Sequence, residues 1–332
     1  MAAYNPKYTV AIIHDSIKYD VTQAITGLDL QDNDGEIAQR ATFTLTNTQV
    51  NGKNLSGIFT VRDRVFVYAD DGEKSEEVFR GFVWERNYKS SAEKNLSLVC
   101  YDNLIYFQES EEYQYFSSGY STKSICSTLC QKWGVALHYN YLSITHPKLP
   151  LRGNLADIFL TDLIEEVKKK TGKKGVMRSK QDAVHIDSVG SNETVYKIYS
   201  GPNGNAIDAT SNITMQGMIT KVVILGKEDD NDRAAVEATV NGKTDVYGTL
   251  QKILNTSTGT TLADAKTEAN ELLAEKGTPK QTFSITAVNI PWIRKGDRIE
   301  VSAGDLAGYF IVTSITHHGD TKTMSMEAER AA

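Results

Sequence analysis

Apolar and polar residues alternate with a period of two through most of the first hundred positions. "YTVAII" (8–13), "YDVTQAITGLDL" (19–30) and "ATFTLT" (41–46) are rich in Thr, Val, Ile, Phe and Tyr, the composition of half-buried strands. The polar turn "QDNDGE" (31–36) and the charged hairpin loop "ADDGEKSEE" (69–77) separate such runs. From about residue 110 the period lengthens. In "YSTKSICSTLCQKWG" (120–134), Ser121 can cap a helix whose buried face carries Ile125, Leu129 and Trp133, and Gly134 ends it. In "GNLADIFLTDLIEEVKKKTGKKG" (153–175), Asn154 can cap, Leu160, Leu163, Ile164 and Val167 form a stripe, and lysines close the last turn. "GVMRSKQDAVHI" (175–186) reads as a hairpin. Around 206 the strands return, with "MITKVVILG" and "AAVEATVNGK" flanking the acidic loop "KEDDND" (227–232). A third helix is predicted at roughly 262–276, with Thr261 as its cap and Gly277 and Pro279 beyond its end.

The strand pattern occurs twice. "TFTLT" (42–46) returns as "TFSIT" (282–286), so that Phe43 matches Phe283. "VRDRVFV" (61–67) returns as "RKGDRIEV" (294–301), matching Asp63 and Arg64 with Asp297 and Arg298. "RGFVWE" (80–85) faces "AGYFIV" (307–312), matching Gly81 with Gly308, and "NLSLVCYD" (95–102) faces "TMSMEAER" (323–330), matching Leu98 with Met326. Four segments in one order point to an internal duplication. In the second copy Gly296-Asp297 suits a tight turn, because glycine tolerates positive φ and the carboxylate can accept from nearby backbone N–H groups.

The expected fold is α+β: two similar small closed β-barrels with an α+β unit inserted between them. The expected boundaries are 1–109 for the first barrel, 110–205 for the inserted unit with two helices and a hairpin, and 206–332 for the second barrel with its extra helix. A chain of 332 residues has room for two or three such domains.

The net charge of −6 supplies no basic field for nucleic acid. The N-terminus has no basic segment followed by an apolar stretch, as a signal peptide would, and no run reaches the length of a membrane span. Three cysteines, an odd and low number, fit a reducing compartment without a disulfide framework.

Candidate chemistry is thin. His14, Asp15 and Ser16 are triad residue types, but neighbours on a strand point to opposite faces, and the stretch reads as a strand end and turn. His317 and His318 are expected at a sheet rim. Cys126 and Cys130 lie one helical turn apart without further ligands and read as buried apolar side chains. "NGKT" (241–244) has Glu237 where a phosphate-binding loop needs glycine, and Asn241-Gly242 reads as a hairpin turn. "DNDGE" (32–36) has Leu30 and Ala41 at positions where a calcium loop needs ligands. The lysines of "KKKTGKKG" (168–175) close a helix, with Glu165 and Glu166 facing solvent beside them. The aromatic run "YFQESEEYQYF" (106–116) is the best candidate for an interaction surface, with core packing an equal alternative, and Trp84, Trp133 and Trp292 read as core positions.

The order of these elements, with "CQKWGV", "KKKTGKK", "VYGTLQK", "IRKGDRIEV", "GYFIVTSITHH" and "MSMEAE", resembles the baseplate hub proteins of contractile phage tails. Within that family it is most similar to the hubs of PBSX-type defective prophages and R-type bacteriocins. The resemblance implies a structural homotrimer, without enzymatic activity or cofactor, whose six barrels match a sixfold tail tube to a threefold spike. It implies the tube protein, the spike protein, a LysM-bearing adaptor and baseplate wedge proteins as partners, with no membrane and no specific nucleic acid. It implies assembly in the host cytoplasm and residence in the particle. Some relatives carry an attached lysozyme-like or peptidase domain, for which a chain ending at Ala332 is expected to leave no room. The competing readings are a tail-associated cell-wall hydrolase, disfavoured by the lack of an acid/base pair, and a carbohydrate-binding barrel module.

Overall fold

In the computed structural model, residues 5–46, 48–50, 53–89, 95–228, 234–256 and 261–331 are described. Contacts divide the chain into two compact units, one comprising 1–210 with 284–332 and the other 211–283.

The larger unit is organised by one long, mainly antiparallel sheet. In the first strand set, Ile25–Asp32 pairs with Arg40–Leu45, followed in order by Leu96–Tyr101, Ser75–Tyr88, Arg64–Asp70, Lys7–His14 and the end strand Ile17–Asp20. In the second set the order is Ala206–Thr214, Lys280–Val288, Thr323–Arg330, Leu306–His318 and Arg298–Ala303, with Tyr196–Tyr199 added in parallel to the last. The segments that match in sequence are therefore neighbours in the same order in both sets.

The expectation of two closed barrels is overturned. The free edge of Ile25–Asp32 pairs with Leu306–His318, from Ile315 opposite Asp32 to His318 opposite Asp29. That edge would have had to meet the far end of its own set to close a barrel. It is spent on joining the two sets instead, and Ile17–Asp20 stays at an open end of the thirteen-stranded sheet. The α+β class stands, with the sheet open.

Strand alternation places Val10, Ile12, Val65, Val67, Leu96 and Leu98 in one dry core of the first set. The inserted segment forms its own core around Ile125, Leu129, Leu155, Phe159, Leu163 and Ile186. Ser121 caps Thr122–Lys132 in a capping box with Ser124, as Asn154 caps the helical run beginning at Leu155. That run continues through a π-helical stretch, Ile158–Glu165, to Thr171, and Gly172 ends it with φ 70°. Lys168 and Lys169 pair with Glu165 and Glu166 on its surface. Gly175–Lys180 and Ala183–Ser188 form the expected hairpin, with Leu137–Asn140 added in parallel.

The smaller unit holds a three-stranded sheet, Ala234–Asn241, Lys221–Glu228 and Gln251–Asn255. Leu262–Lys276 packs Ala265 and Ala269 onto Val222 and Ile224, and Thr261 with Asp264 forms its capping box. Asn241-Gly242 is not a hairpin turn. The chain passes from it through a short helix, Thr244–Tyr247, into a strand parallel to Lys221–Glu228. A parallel neighbour requires a crossover, which a two-residue turn cannot supply. Most of the acidic loop at 227–232 lies outside the described residues.

Candidate functional site

The repeated Asp-Arg dipeptide builds the same turn twice. Asp63 Oδ2 accepts the Thr60 N–H at 2.8 Å, and Asp297 Oδ2 accepts the Arg294 N–H at 2.9 Å. The backbone of Asp63 accepts from Val83 N, and that of Asp297 from Val312 N, both at 2.9 Å. The residue before each Asp holds a left-handed conformation, Arg62 with φ 70° and Gly296 with φ 87°. Phe43, opposite Leu98, and Phe283 are both buried. The two matched glycines fall at different registers: Gly81 lies opposite Val65, whereas Gly308 lies opposite Val301. A side chain at Gly81 would strike the Tyr101 carbonyl, while Gly308 has φ 124°.

Each turn turns a different charge outward, and the inserted hairpin takes one from each. Asp63 bonds to His14 Nδ1 at 3.0 Å, while Asp297 Oδ1 accepts from Arg178 Nη1 at 2.7 Å. Arg64 donates to Asp182 at 2.7 Å, and Arg80 reaches the same carboxylate at 3.3 Å. Arg64 stacks over Phe66 and Phe82 and Arg80 over Phe66, so alternation gives the outer face of these strands a checker of arginines and rings. Asp182, at the hairpin tip, closes that face. Asn103 donates to the Asp182 carbonyl at 2.7 Å.

Beneath the turns lies a buried polar cluster that sequence reading did not find. Arg294 forks onto Asp32, with Nε–Oδ2 2.5 Å and Nη2–Oδ1 2.9 Å. Burial pushes the Asp32 carboxyl up, but Arg294 outweighs it and holds the group below its ordinary range. Lys295 donates to the carbonyls of Asn33 and Glu36, and burial lowers its pKa. Asp102 accepts from the backbone N–H groups of Gln39 and Leu104, yet burial raises it to about 7. His317 is not at a rim. It is buried between Asn289 (Nδ1–Oδ1 2.7 Å) and the Ile293 carbonyl (Nε2–O 2.9 Å), and burial lowers its pKa to about 4. Its strand is covered on both edges, by Ile25–Asp32 and Thr323–Arg330. His318 meets Asp29 at 2.9 Å.

A cleft of about 300 Å³ opens beside the turns, lined by Lys74, Glu77, Arg178, His185, Trp292 and Asp297 among others. Several of its charged groups are already committed: Glu77 to Arg80, Asp297 to Arg178, and Lys74 over the Trp292 ring. Asp102, the carboxyl nearest neutrality, is sealed from solvent. Asp15 and Ser16 form the turn after Lys7–His14, as expected. Cys126 and Cys130 are buried, and burial raises both thiols. Trp84 and Trp133 lie half-buried against the inserted core, and Trp292 against that of the first strand set. In the aromatic run, Tyr113 and Tyr115 are exposed on the strand Glu111–Phe116, while Phe107 and Phe116 are buried. Among the described residues no three His, Cys, Asp or Glu side chains are grouped to hold a metal, and no helix is long and apolar enough to cross a membrane.

Residues 31–329 match the YQBQ-like family. The chain belongs to that family. No curated protein sequence matches it. The YQBQ-like chain is similar in fold to the 43 kDa tail protein of prophage MuSo2 from Shewanella oneidensis, with TM-score 0.70 at 12% identity, covering 98% of each chain. It is also similar to a tail protein from Neisseria meningitidis MC58, with TM-score 0.67 at 14% identity, covering 97% of this chain and 96% of that one. The prophage tail protein gp18 of Listeria monocytogenes gives TM-score 0.58 at 10% identity, covering 96% and 94%. At such identities the likeness is one of fold.

Proposed function

We propose that this YQBQ-like protein is the structural hub of the baseplate of a contractile tail or tail-like particle, of the PBSX-type prophage and R-type bacteriocin kind. The observation that carries this reading is the pair of strand sets with a common neighbour order, in a fold shared with tail proteins over nearly the whole chain. The repeat motif Phe43, Asp63, Arg64 and Gly81, with Phe283, Asp297, Arg298 and Gly308, marks an internal duplication. A homotrimer then offers six similar strand sets to a sixfold tube while keeping threefold symmetry for a spike. The protein is not an enzyme in this reading, since its charged groups are spent on holding elements together. Its partners are the tube protein, the spike protein, a LysM-bearing adaptor and wedge proteins, and its place is the particle. Electron microscopy of the assembled particle tests this. Three copies around the axis, with both strand sets in one layer beneath the tube, are expected; six copies or a peripheral position would overturn it.

A further inference from the structure

The two Asp-Arg turns are alike, but their outer faces are finished differently. Arg64 lies against Phe66 and Phe82 and is met by the Asp182 carboxylate at 2.7 Å. Arg298, the residue after Asp297, stands 5.1 Å over the ring of Tyr309. It is exposed and forms no ion pair among the described residues. Tyr309 is 52% exposed. An exposed arginine on an exposed ring offers planar donors with little freedom left to lose, the composition of an interface anchor.

The counterpart that covers Arg64 has a recognisable build. Asp182 sits in a two-residue hairpin turn, Gln181 with φ 52° and Asp182 with φ 64°. The chain has a second such turn, Asp15 with φ 47° and Ser16 with φ 66°, between Lys7–His14 and Ile17–Asp20. The Asp15 side chain is 84% exposed, with His14 Nε2 at 3.3 Å. This turn belongs to the open end of the first strand set, whereas Arg298–Ala303 lies in the second set between Leu306–His318 and Tyr196–Tyr199. One acidic turn tip and one arginine–aromatic face are thus joined within the chain, and the other turn tip and the other arginine–aromatic face, on different strand sets, are not joined to each other.

We infer that the Asp15 turn of one copy docks on the Arg298–Tyr309 face of a second copy, as the Asp182 turn docks on Arg64 inside the chain. The contact uses different surfaces of the two copies, so it is heterologous and can close into a ring. Copies that each carry −6 repel at long range, and a local pairing of opposite charges of this kind offsets that repulsion. The inference rests on the homotrimer reading and names the surfaces that would build it.

Sedimentation of the full chain at about 100 µM tests it. Wild type is expected to be trimeric, and less so at high salt. Asp15→Arg and Arg298→Asp should each weaken association by at least about tenfold, and the double exchange should restore the trimer. Restoration also shows that the single variants fold. A trimeric wild type with equally trimeric single variants would sink this contact and leave the hub reading intact. Single variants that are weakened but not rescued by the exchange also count against direct pairing. A wild type monomeric at that concentration would overturn the contact together with self-driven trimerisation.

Discussion

Arg294 and Asp32, 262 residues apart in sequence, meet fork to carboxylate at 2.5 and 2.9 Å beneath the join between the two strand sets. Asp32 is buried and Arg294 is mostly so, so each neutralises a charge that would be costly to bury alone. Asp32→Ala should therefore cost about 3–5 kcal/mol in denaturant unfolding, because it strands the guanidinium. The paired change Asp32→Leu with Arg294→Met should cost far less than the sum of the single changes. Additive costs would show that the two residues do not act as a pair.

Gly296→Val should destabilise for two separable reasons. The position has φ 87°, and a Cβ there would approach Val176 Cγ1 to 2.9 Å. The backbone part is about 1–3 kcal/mol. Adding Val176→Ala should relieve the part of the crowding due to its two γ-methyl groups, at 2.9 and 3.0 Å, while its Cβ at 3.0 Å and the backbone part remain. An unfolding midpoint equal to wild type for Gly296→Val would show the glycine to be incidental.

The first turn predicts the reverse. Arg62 stands where Gly296 stands in the second copy, with φ 70°. Arg62→Gly removes left-handed strain of about 1 kcal/mol while making the unfolded chain more flexible. Thermal unfolding should show a change near zero or a slight gain, in contrast to the usual loss on introducing glycine. A clear loss would mean that the Arg62 side chain stabilises the turn in its own right.

Two buried groups should give opposite pH slopes. His317 stays neutral in the fold down to about pH 4, while an unfolded histidine takes a proton below about 6.5. Its contribution is full above 6.5 and is lost as pH falls toward 4. Asp102 keeps its proton up to about pH 7 against 3.8 unfolded, so its contribution is full below 3.8 and is lost as pH rises to 7. Between pH 4 and 6.5 the two nearly cancel. Relative to wild type, Asp102→Asn should make stability rise with pH across that window by about 3 kcal/mol, and His317→Gln should make it fall by a similar amount. Parallel profiles for all three proteins would refute both assignments.

Much of this was legible locally. Ser121, Asn154 and Thr261 cap their helices because a side-chain oxygen three residues from an N–H needs nothing distant. The Asp-Arg turns were legible as a repeated dipeptide for the same reason. Their outward partners were not, since His14, Arg178 and Asp182 arrive from other segments. Alternation reports which face a residue takes, not which strand lies beside it. Hence the pairing of Ile25–Asp32 with Leu306–His318 was missed, and with it the open sheet and the burial of His317. Gly81 and Gly308 looked equivalent because both precede aromatic residues, but strand register set them two positions apart.

That same pairing joins strands that are far apart in the chain. While the protein is being synthesised, Ile25–Asp32 leaves the ribosome more than 270 residues before the strand that covers its edge. At about 5–20 residues per second the delay is roughly 15–60 s. Throughout that interval the nascent first strand set carries an uncovered backbone edge, open to pairing with other growing chains. Synthesis rate thus sets how long that edge stays exposed.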